Sequence, residues 1–192
     1  MPTPPHSPTV VVHLPGGRGR LRQLVLYVSA RCMGSRYFGL VKLNKIIWKA
    51  DFDSFAARGV PITGREYRRQ IYGPVPREMK PLHDEMLREG AIRIERRVYS
   101  DDVVEHRTVP QDIPDLSFFT DEDMTFIDAS ISHYWKMTGE ETSDESHGIA
   151  WKTRRNGDPM PYESAILSNL ELGPSQRRRI EEMIRQRQLM TI

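Results

Sequence analysis

Apolar residues recur at helical spacing along most of this chain, and the pattern breaks at glycines and prolines, so helices joined by punctuated connections are the expected architecture. Leu21, Leu24, Val25, Val28 and Cys32 mark a first helix over about 20–33, stopped by Gly34. A second, over about 40–58, carries Leu40, Leu43, Ile47 and Ala50 on one line and Val41, Trp48, Phe52 and Phe55 on a neighbouring one. Its polar positions, Lys42, Lys45, Lys49 and Asp53, form a narrow stripe, so this helix is apolar around most of its circumference and should be the central packing element. Lys49 and Asp53 are spaced for an ordinary i,i+4 surface pair. Gly59 suits a helix stop, and Pro61 to Gly64 a turn.

The pattern then changes. Tyr67 to Tyr72 reads as extended and leads into Tyr72-Gly73-Pro74-Val75-Pro76, where two prolines fix two φ angles and push the residues before them away from helical geometry. A stiff elbow results. Pro76 suits the first position of a helix and Glu78 its first turn, so Pro81 falls inside that helix and demands a kink or a restart. Beyond Gly90, Ile92, Ile94 and Val98 alternate with charged residues, Asp101-Asp102 turns, and Val103 to Val109 returns, which predicts a β-hairpin at about 91–109. Thr120 with Asp123 is a capping pair flanked by the staple residues Phe119 and Met124, and the helix it opens runs through Ile127, Ile131 and Tyr134 to a stop at Gly139. Thr142 with Glu145 repeats the spacing and places His147 and Trp151 on one face of a short helix. Gly157 to Pro161 reads as a loop, and 162–170 as a short helix.

The ends differ from the middle. Residues 1–19 hold Pro2, Pro4, Pro5, Pro8 and Pro15 with Gly16-Gly17, a composition that resists helix and predicts a flexible arm, though Thr9 to Leu14 suits an edge strand. Residues 173–192 place Ile180, Met183 and Ile184 on a thin apolar stripe amid arginines. The reading is a mainly α protein with one small β-hairpin, an α+β fold divided into the arm, a helical domain over 20–172 and an amphipathic C-terminal helix.

Composition narrows the function classes. A chain of 192 residues suits one domain that buries about 70% of its unfolded surface. With 28 basic and 26 acidic residues, the net charge of +2 is too small to steer the whole molecule toward nucleic acid. The single cysteine, Cys32, excludes an internal disulfide and a thiolate zinc cluster. No apolar run approaches membrane-spanning length, because Val10-Val11-Val12 is broken by His13, and the chain reads as cytoplasmic.

Lys42-Leu43-Asn44-Lys45 running to Phe52, then Gly59, Thr63-Gly64, Tyr67, the elbow and a downstream Ser146-His147 with Trp151, stand in an order and spacing that resembles the Panacea domain of SocA-like antitoxins over about residues 20–155. The resemblance implies a bacterial or phage-borne antitoxin that neutralises a cognate toxin protein by binding it, with no catalysis and no cofactor, and with delivery to a protease or chaperone as a variant. On that reading the partner contacts are Lys42, Lys45, Tyr72, Gly73, Pro74, Val75, Pro76, His147 and Trp151. Neither the toxin nor the oligomeric state follows from it.

Two other classes compete. A helix followed by a hairpin bearing Arg93, Arg96, Arg97 and Arg107 imitates a winged-helix DNA-binding regulator, although Glu95, Asp101, Asp102 and Glu105 interrupt the positive field. For an enzyme, Ser146 and His147 are helix neighbours pointing roughly 100° apart, so they do not form a nucleophile and base with each other. The histidines His6, His13, His83, His106, His133 and His147 include no i,i+4 pair and have no cysteines at metal-ligand spacing.

Overall fold

The structure is a computed structural model that describes residues 17–100 and 103–165, with the single positions 178 and 182. Most of the arm, the Asp101-Asp102 turn and almost all of the C-terminal helix lie outside the described residues. The protein is mainly helical, with a two-stranded hairpin and a second, three-stranded sheet.

α1 (Gly17–Arg31) and α2 (Leu40–Arg58) form the first layer. α1 starts at Gly17, so the last glycines of the expected arm are its first turn. α2 spans the predicted range and is the hub, touching α1 and, further along the chain, β2 (Gly73–Pro76), β4 (Val103–Pro110), α4 (Asp121–Tyr134) and α5 (Gly139–Glu145). Leu43, Ile46, Ile47 and Ala50 of α2 are wholly buried among Leu21, Leu24 and Val28 of α1, Leu82 and Met86 of α3 (Met79–Arg88), and Ile127 and Ile131 of α4. Gly59 ends α2 at φ 73°, and its N–H donates to Phe55 O, which is the left-handed cap a glycine makes at little cost.

β1 (Tyr67–Gln70) and β2 (Gly73–Pro76) form a tight antiparallel hairpin, with Gln70 opposite Gly73 and Tyr67 opposite Pro76. The elbow is therefore a strand. β2 lies at the sheet edge in the order β2-β1-β5, where prolines are tolerated because no further strand needs their missing N–H groups. The helix expected from Pro76 begins instead as α3 (Met79–Arg88), behind a turn at Arg77-Glu78. Pro81 then falls in the first helical turn, where the backbone N–H has no partner to lose, so neither a kink nor a restart is required. β5 (Pro159–Met160) pairs with β1 across Tyr67 and Arg68, within the stretch read as loop.

The predicted hairpin is β3 (Ile92–Ser100) and β4 (Val103–Pro110). A short 3-10 turn, Leu116–Phe118, leads to α4 (Asp121–Tyr134) with the expected capping box on Thr120 and Asp123. The next box is one turn earlier than expected: Thr138 and Glu141 open α5 (Gly139–Glu145), and Thr142 lies inside it with its hydroxyl donating to Thr138 O. Thr138 and Glu141 have the same spacing as Thr142 and Glu145, and Gly139 begins a helix where it was expected to end one. α6 (Ile149–Lys152) follows directly on His147-Gly148, so His147 lies outside the short helix that carries Trp151.

Asp123 ties three helices together. Its carboxylate accepts from Arg20 of α1 at 2.6 Å, from Arg58 of α2 at 2.6 Å and from the Thr120 N–H at 3.0 Å. Burial alone would raise this carboxyl, but the bonds from Arg58, Thr120 and Arg20 outweigh it and hold it below the usual aspartate range. Asp123→Ala should lower stability by about 3 kcal/mol, against about 1 kcal/mol for Thr120→Ala, which removes only a cap bond. Because the folded pKa is depressed, this contribution is present above the unfolded pKa and is lost as pH falls through the folded one. Urea unfolding of wild type and Asp123→Ala should converge in strong acid.

Candidate functional site

The residues that carry the sequence motif converge at the base of the β1–β2 hairpin. Gly73 adopts φ 98°, and a Cβ built on it would meet Ser146 Oγ at 2.1 Å and Lys45 Cε at 2.5 Å. Only a glycine fits between α2 and the turn that follows α5. Pro74 O accepts a hydrogen bond from Lys45 Nζ at 3.0 Å, while Ser146 Oγ donates to Ser143 O at 2.6 Å. His147 and Trp151 are four residues apart across the α5–α6 turn, and their rings stack at 3.7 Å with 16° between planes. The Arg69 guanidinium lies 3.8 Å from the Trp151 ring centroid, and Trp151 Nε1 donates to Gln70 O at 2.8 Å. α5–α6 thus grips the hairpin just below its turn.

At that turn Ile71 and Tyr72 are 64% and 65% exposed. Pro74 and Pro76 are buried, and Val75, His147 and Trp151 are half-buried. Of the elbow residues expected to meet a partner, Tyr72 stands free while Gly73 and the two pyrrolidines are packed inward. Ile71 was not singled out in the sequence, although it sits beside Tyr72 in a two-residue hairpin turn, where an apolar residue has no core to reach.

Lys42 and Lys45 require a correction. Expected on a polar stripe facing an acidic partner, they are 0% and 1% exposed. β2 covers Lys45, and the Ser35-Arg36 turn and Glu105 of β4 close over Lys42, leaving Lys49 and Asp53 as the outward pair, joined at 2.9 Å. No carboxylate among the described residues offsets the burial of Lys45, which pushes its ammonium down to about 7. Lys42 donates to Arg36 O at 3.1 Å, and burial also lowers its pKa, partly opposed by Cys32 and Glu105. Cys32 is 1% exposed and burial pushes its thiol up to about 12, as for a core residue.

The basic hairpin residues are corrected too. Arg107 is wholly buried, donating to Glu105, Met33 O and Ser35 O at 2.6–2.7 Å. Arg93 and Arg97 both pair with Glu95, at 3.3 and 2.5 Å. Arg96 is exposed, opposite His106. Serine–histidine geometry also differs from the sequence pairing: the hydroxyl nearest His147 is that of Ser143, 3.4 Å from Nε2, while Asp144 lies 3.9 Å from Nδ1. Ser143 is 5% exposed.

A second polar knot lies below the hairpin. The wholly buried Asp51 carboxylate accepts from the Thr63 N–H at 2.6 Å, from the Thr63 hydroxyl, from Tyr67 Oη at 2.7 Å and from Tyr162 Oη at 3.4 Å. Burial raises its pKa despite the bonds from Thr63 and Tyr67 that oppose the shift. Phe52, Tyr67 and Tyr162 close over it with ring centroids 5.0–5.9 Å apart. Among the described residues no cluster of histidine, cysteine and carboxylate side chains is arranged to hold a metal. No described helix is long and apolar enough to cross a membrane.

Residues 43–152 match the family described as antitoxin SocA-like, Panacea domain, a span that contains Lys45, the elbow, Ser146, His147 and Trp151. The chain belongs to this family. No curated protein and no solved structure matches it. Membership supports an antitoxin role in general, and with it a toxin as partner. The matched span of the Panacea domain begins in α2 and ends in α6, so it takes in both walls of the junction around Gly73.

Two predictions test this junction. Gly59 and Gly73 both have positive φ, but a Cβ on Gly59 meets nothing within 4 Å, whereas one on Gly73 collides with Ser146 and Lys45. Gly59→Ala should cost about 1 kcal/mol and Gly73→Ala about 3 kcal/mol or more in chemical denaturation, the excess reporting the close approach. For Lys45, a lowered folded pKa means the unfolded chain binds more protons between about 7 and the ordinary lysine value, so stability rises with pH across that window. Wild type minus Lys45→Met should show this slope between about pH 7 and 10, and a flat difference would place the ammonium in water.

Proposed function

We propose that this Panacea-domain protein neutralises its toxin by direct, stoichiometric binding without catalysis, and that the Ile71-Tyr72 turn is the apolar centre of that interface. One observation carries the reading. Two large apolar side chains stand exposed on a turn whose base is held by the Gly73–Ser146 approach, the Lys45–Pro74 bond and the Trp151–Gln70 bond. A soluble protein pays in solubility for such exposure, and side chains on a pre-ordered mount lose little entropy when a partner covers them. A non-catalytic role is supported by the burial of Ser143 and by the stacking of His147 on Trp151, which commits the imidazole to packing. Localisation in the cytoplasm belongs to the same proposal.

The test uses the product of the neighbouring reading frame as candidate toxin. Tyr72→Ala and Ile71→Ser should each weaken its binding by about 30-fold, as for central interface residues, with the thermal midpoint nearly unchanged. Co-expressed variants should lose growth rescue in the same order. Binding should vary little with salt, unlike a phosphate-contacting protein, which loses affinity steeply. Equal loss of binding and stability would make Tyr72 a structural residue, and a neighbour that is harmless when expressed alone would remove the antitoxin reading for this pair.

A further inference from the structure

An arginine beside the Ile71-Tyr72 turn is held in place without an ionic partner. Arg69 lies in β1, two residues before Ile71, and its guanidinium is 3.8 Å from the Trp151 ring centroid. The His147 imidazole stacks on the same indole at 3.7 Å, and two flat groups that close cannot share one face of a ring. Trp151 is therefore sandwiched between Arg69 and His147, and its Nε1 bond to Gln70 O at 2.8 Å ties the stack to the base of the turn.

Arg69 differs from its neighbours in what it bonds. The Nε atoms of Arg65, Arg68 and Arg69 are all buried without a hydrogen-bond partner among the described residues. Arg65 and Arg68 still place a terminal nitrogen on a carboxylate, Glu78 at 2.5 Å and Glu66 at 2.7 Å, whereas no carboxylate among the described residues pairs with Arg69. The nearby acids are engaged elsewhere. Asp158 accepts from the Arg155 N–H at 2.7 Å, Glu66 also pairs with Arg77 at 3.1 Å, and Asp144 lies 3.9 Å from His147 Nδ1, on the imidazole side of the stack. Burial lowers the Arg69 pKa, opposed by the charge of Asp158, and a guanidinium stays ionised at any physiological pH. The local balance is positive, because Lys45, Arg69 and Lys152 all act on His147 against the single carboxylate of Asp144.

We propose that Arg69 is the specificity-determining residue of the toxin interface, receiving an aspartate or glutamate that stands beside the apolar cleft for Ile71 and Tyr72 on the partner. This rests on the reading that the turn meets the toxin, and adds the chemistry of the surface it meets. The planar fork suits a bidentate carboxylate, and the indole holds it ready, so little side-chain freedom is lost on contact. A partner with lysine or arginine at that place is repelled, which separates cognate from non-cognate toxins. One pair closed off by the surrounding interface is screened little, so binding still varies little with salt.

The test measures the full chain against the candidate toxin by biolayer interferometry. Arg69→Glu should weaken binding by about 100-fold, and Arg69→Lys, which keeps the charge and most of the stem but not the fork, by about tenfold. Reversing each toxin Asp or Glu to Arg in turn should yield one substitution that weakens binding to wild type yet restores it to Arg69→Glu, which a purely structural arginine cannot produce. Circular dichroism melts show which variants fold. Should Arg69→Glu not fold, a double-mutant cycle between Arg69→Lys and the toxin acids changed to their amides should find one coupled acid. Normal binding by the Arg69 variants, the absence of any rescuing or coupled acid, or a loss of binding matched by an equal loss of stability would each overturn the proposal. If Tyr72→Ala binds weakly while the Arg69 variants bind normally, only this proposal falls; if Tyr72→Ala also binds normally, the docking reading falls with it.

Discussion

A lysine ammonium enclosed in the interior is the constraint around which the rest of this structure is arranged. Lys45 lies on the central helix with no carboxylate among the described residues to balance it, and its ammonium donates to Pro74 O. Moving such a group out of water is costly unless the ion is paired or sheds its proton. The Pro74 carbonyl must therefore be held in place, and β2 does so: Pro74 and Pro76 are two residues apart on an edge strand, so both turn their backbone groups away from β1, and the carbonyl of Pro74 is free for α2. Gly73 lets the strand come close enough, because any Cβ there would occupy the space of Ser146 Oγ and the Lys45 side chain. Ser146 in turn closes its own local bond to Ser143 O, and the chain beyond it brings Trp151 back to Gln70. One buried lysine thus meets the proline, the glycine and the serine of the motif, and the tryptophan closes the other side of the same hairpin.

Asp51, a turn and a half further along α2, follows the same logic with opposite sign. Its carboxylate is satisfied by three kinds of donor, a backbone N–H, a threonine hydroxyl and two phenols, none of them cationic. Because Tyr67 belongs to β1 and Tyr162 follows β5, this knot fixes the sheet to the helix from below while Lys45 fixes it from above. The small sheet is too short to be stable by itself, and this double attachment to α2, with the Trp151 bond to Gln70, makes it a definite element.

The helices were legible in the sequence because periodicity and caps report local physics. α2 and its Gly59 stop, the Thr120–Asp123 box of α4 and the β3–β4 hairpin all follow from spacing that neighbouring residues enforce. Apart from the box of α5, where two identical spacings compete, the errors lie where tertiary contact overrides local pattern. Lys42 and Lys45 read as the wet stripe of an amphipathic helix, yet the turn ahead of α2 and β4 close over Lys42 and β2 covers Lys45, and nothing within α2 announces that cover. β5 is two residues long and owes its existence to the edge of β1, so Pro159-Met160 carries no strand signal. The elbow was half readable: the prolines dictate extended backbone, but the hairpin partner that makes it a strand, and the turn that leaves Ile71 and Tyr72 outside, depend on pairing with Tyr67 to Gln70. Arg107 reads as one of several solvent-facing arginines, and only the packing of β4 against the Met33–Ser35 turn takes it inside.

Preorganisation follows from where the rigid parts lie. A two-residue turn on an isolated hairpin would move freely, and an exposed tyrosine on it would lose much of its contact energy to ordering on association. Here the backbone on both sides of the turn is pinned within one residue of Ile71-Tyr72, by Trp151 at Gln70 and by the Ser146 and Lys45 approach at Gly73. Neither pin uses Ile71 or Tyr72 itself. The turn can therefore change chemically without disturbing the core, while the core cannot change at Gly73, Lys45 or Ser146 without moving the turn.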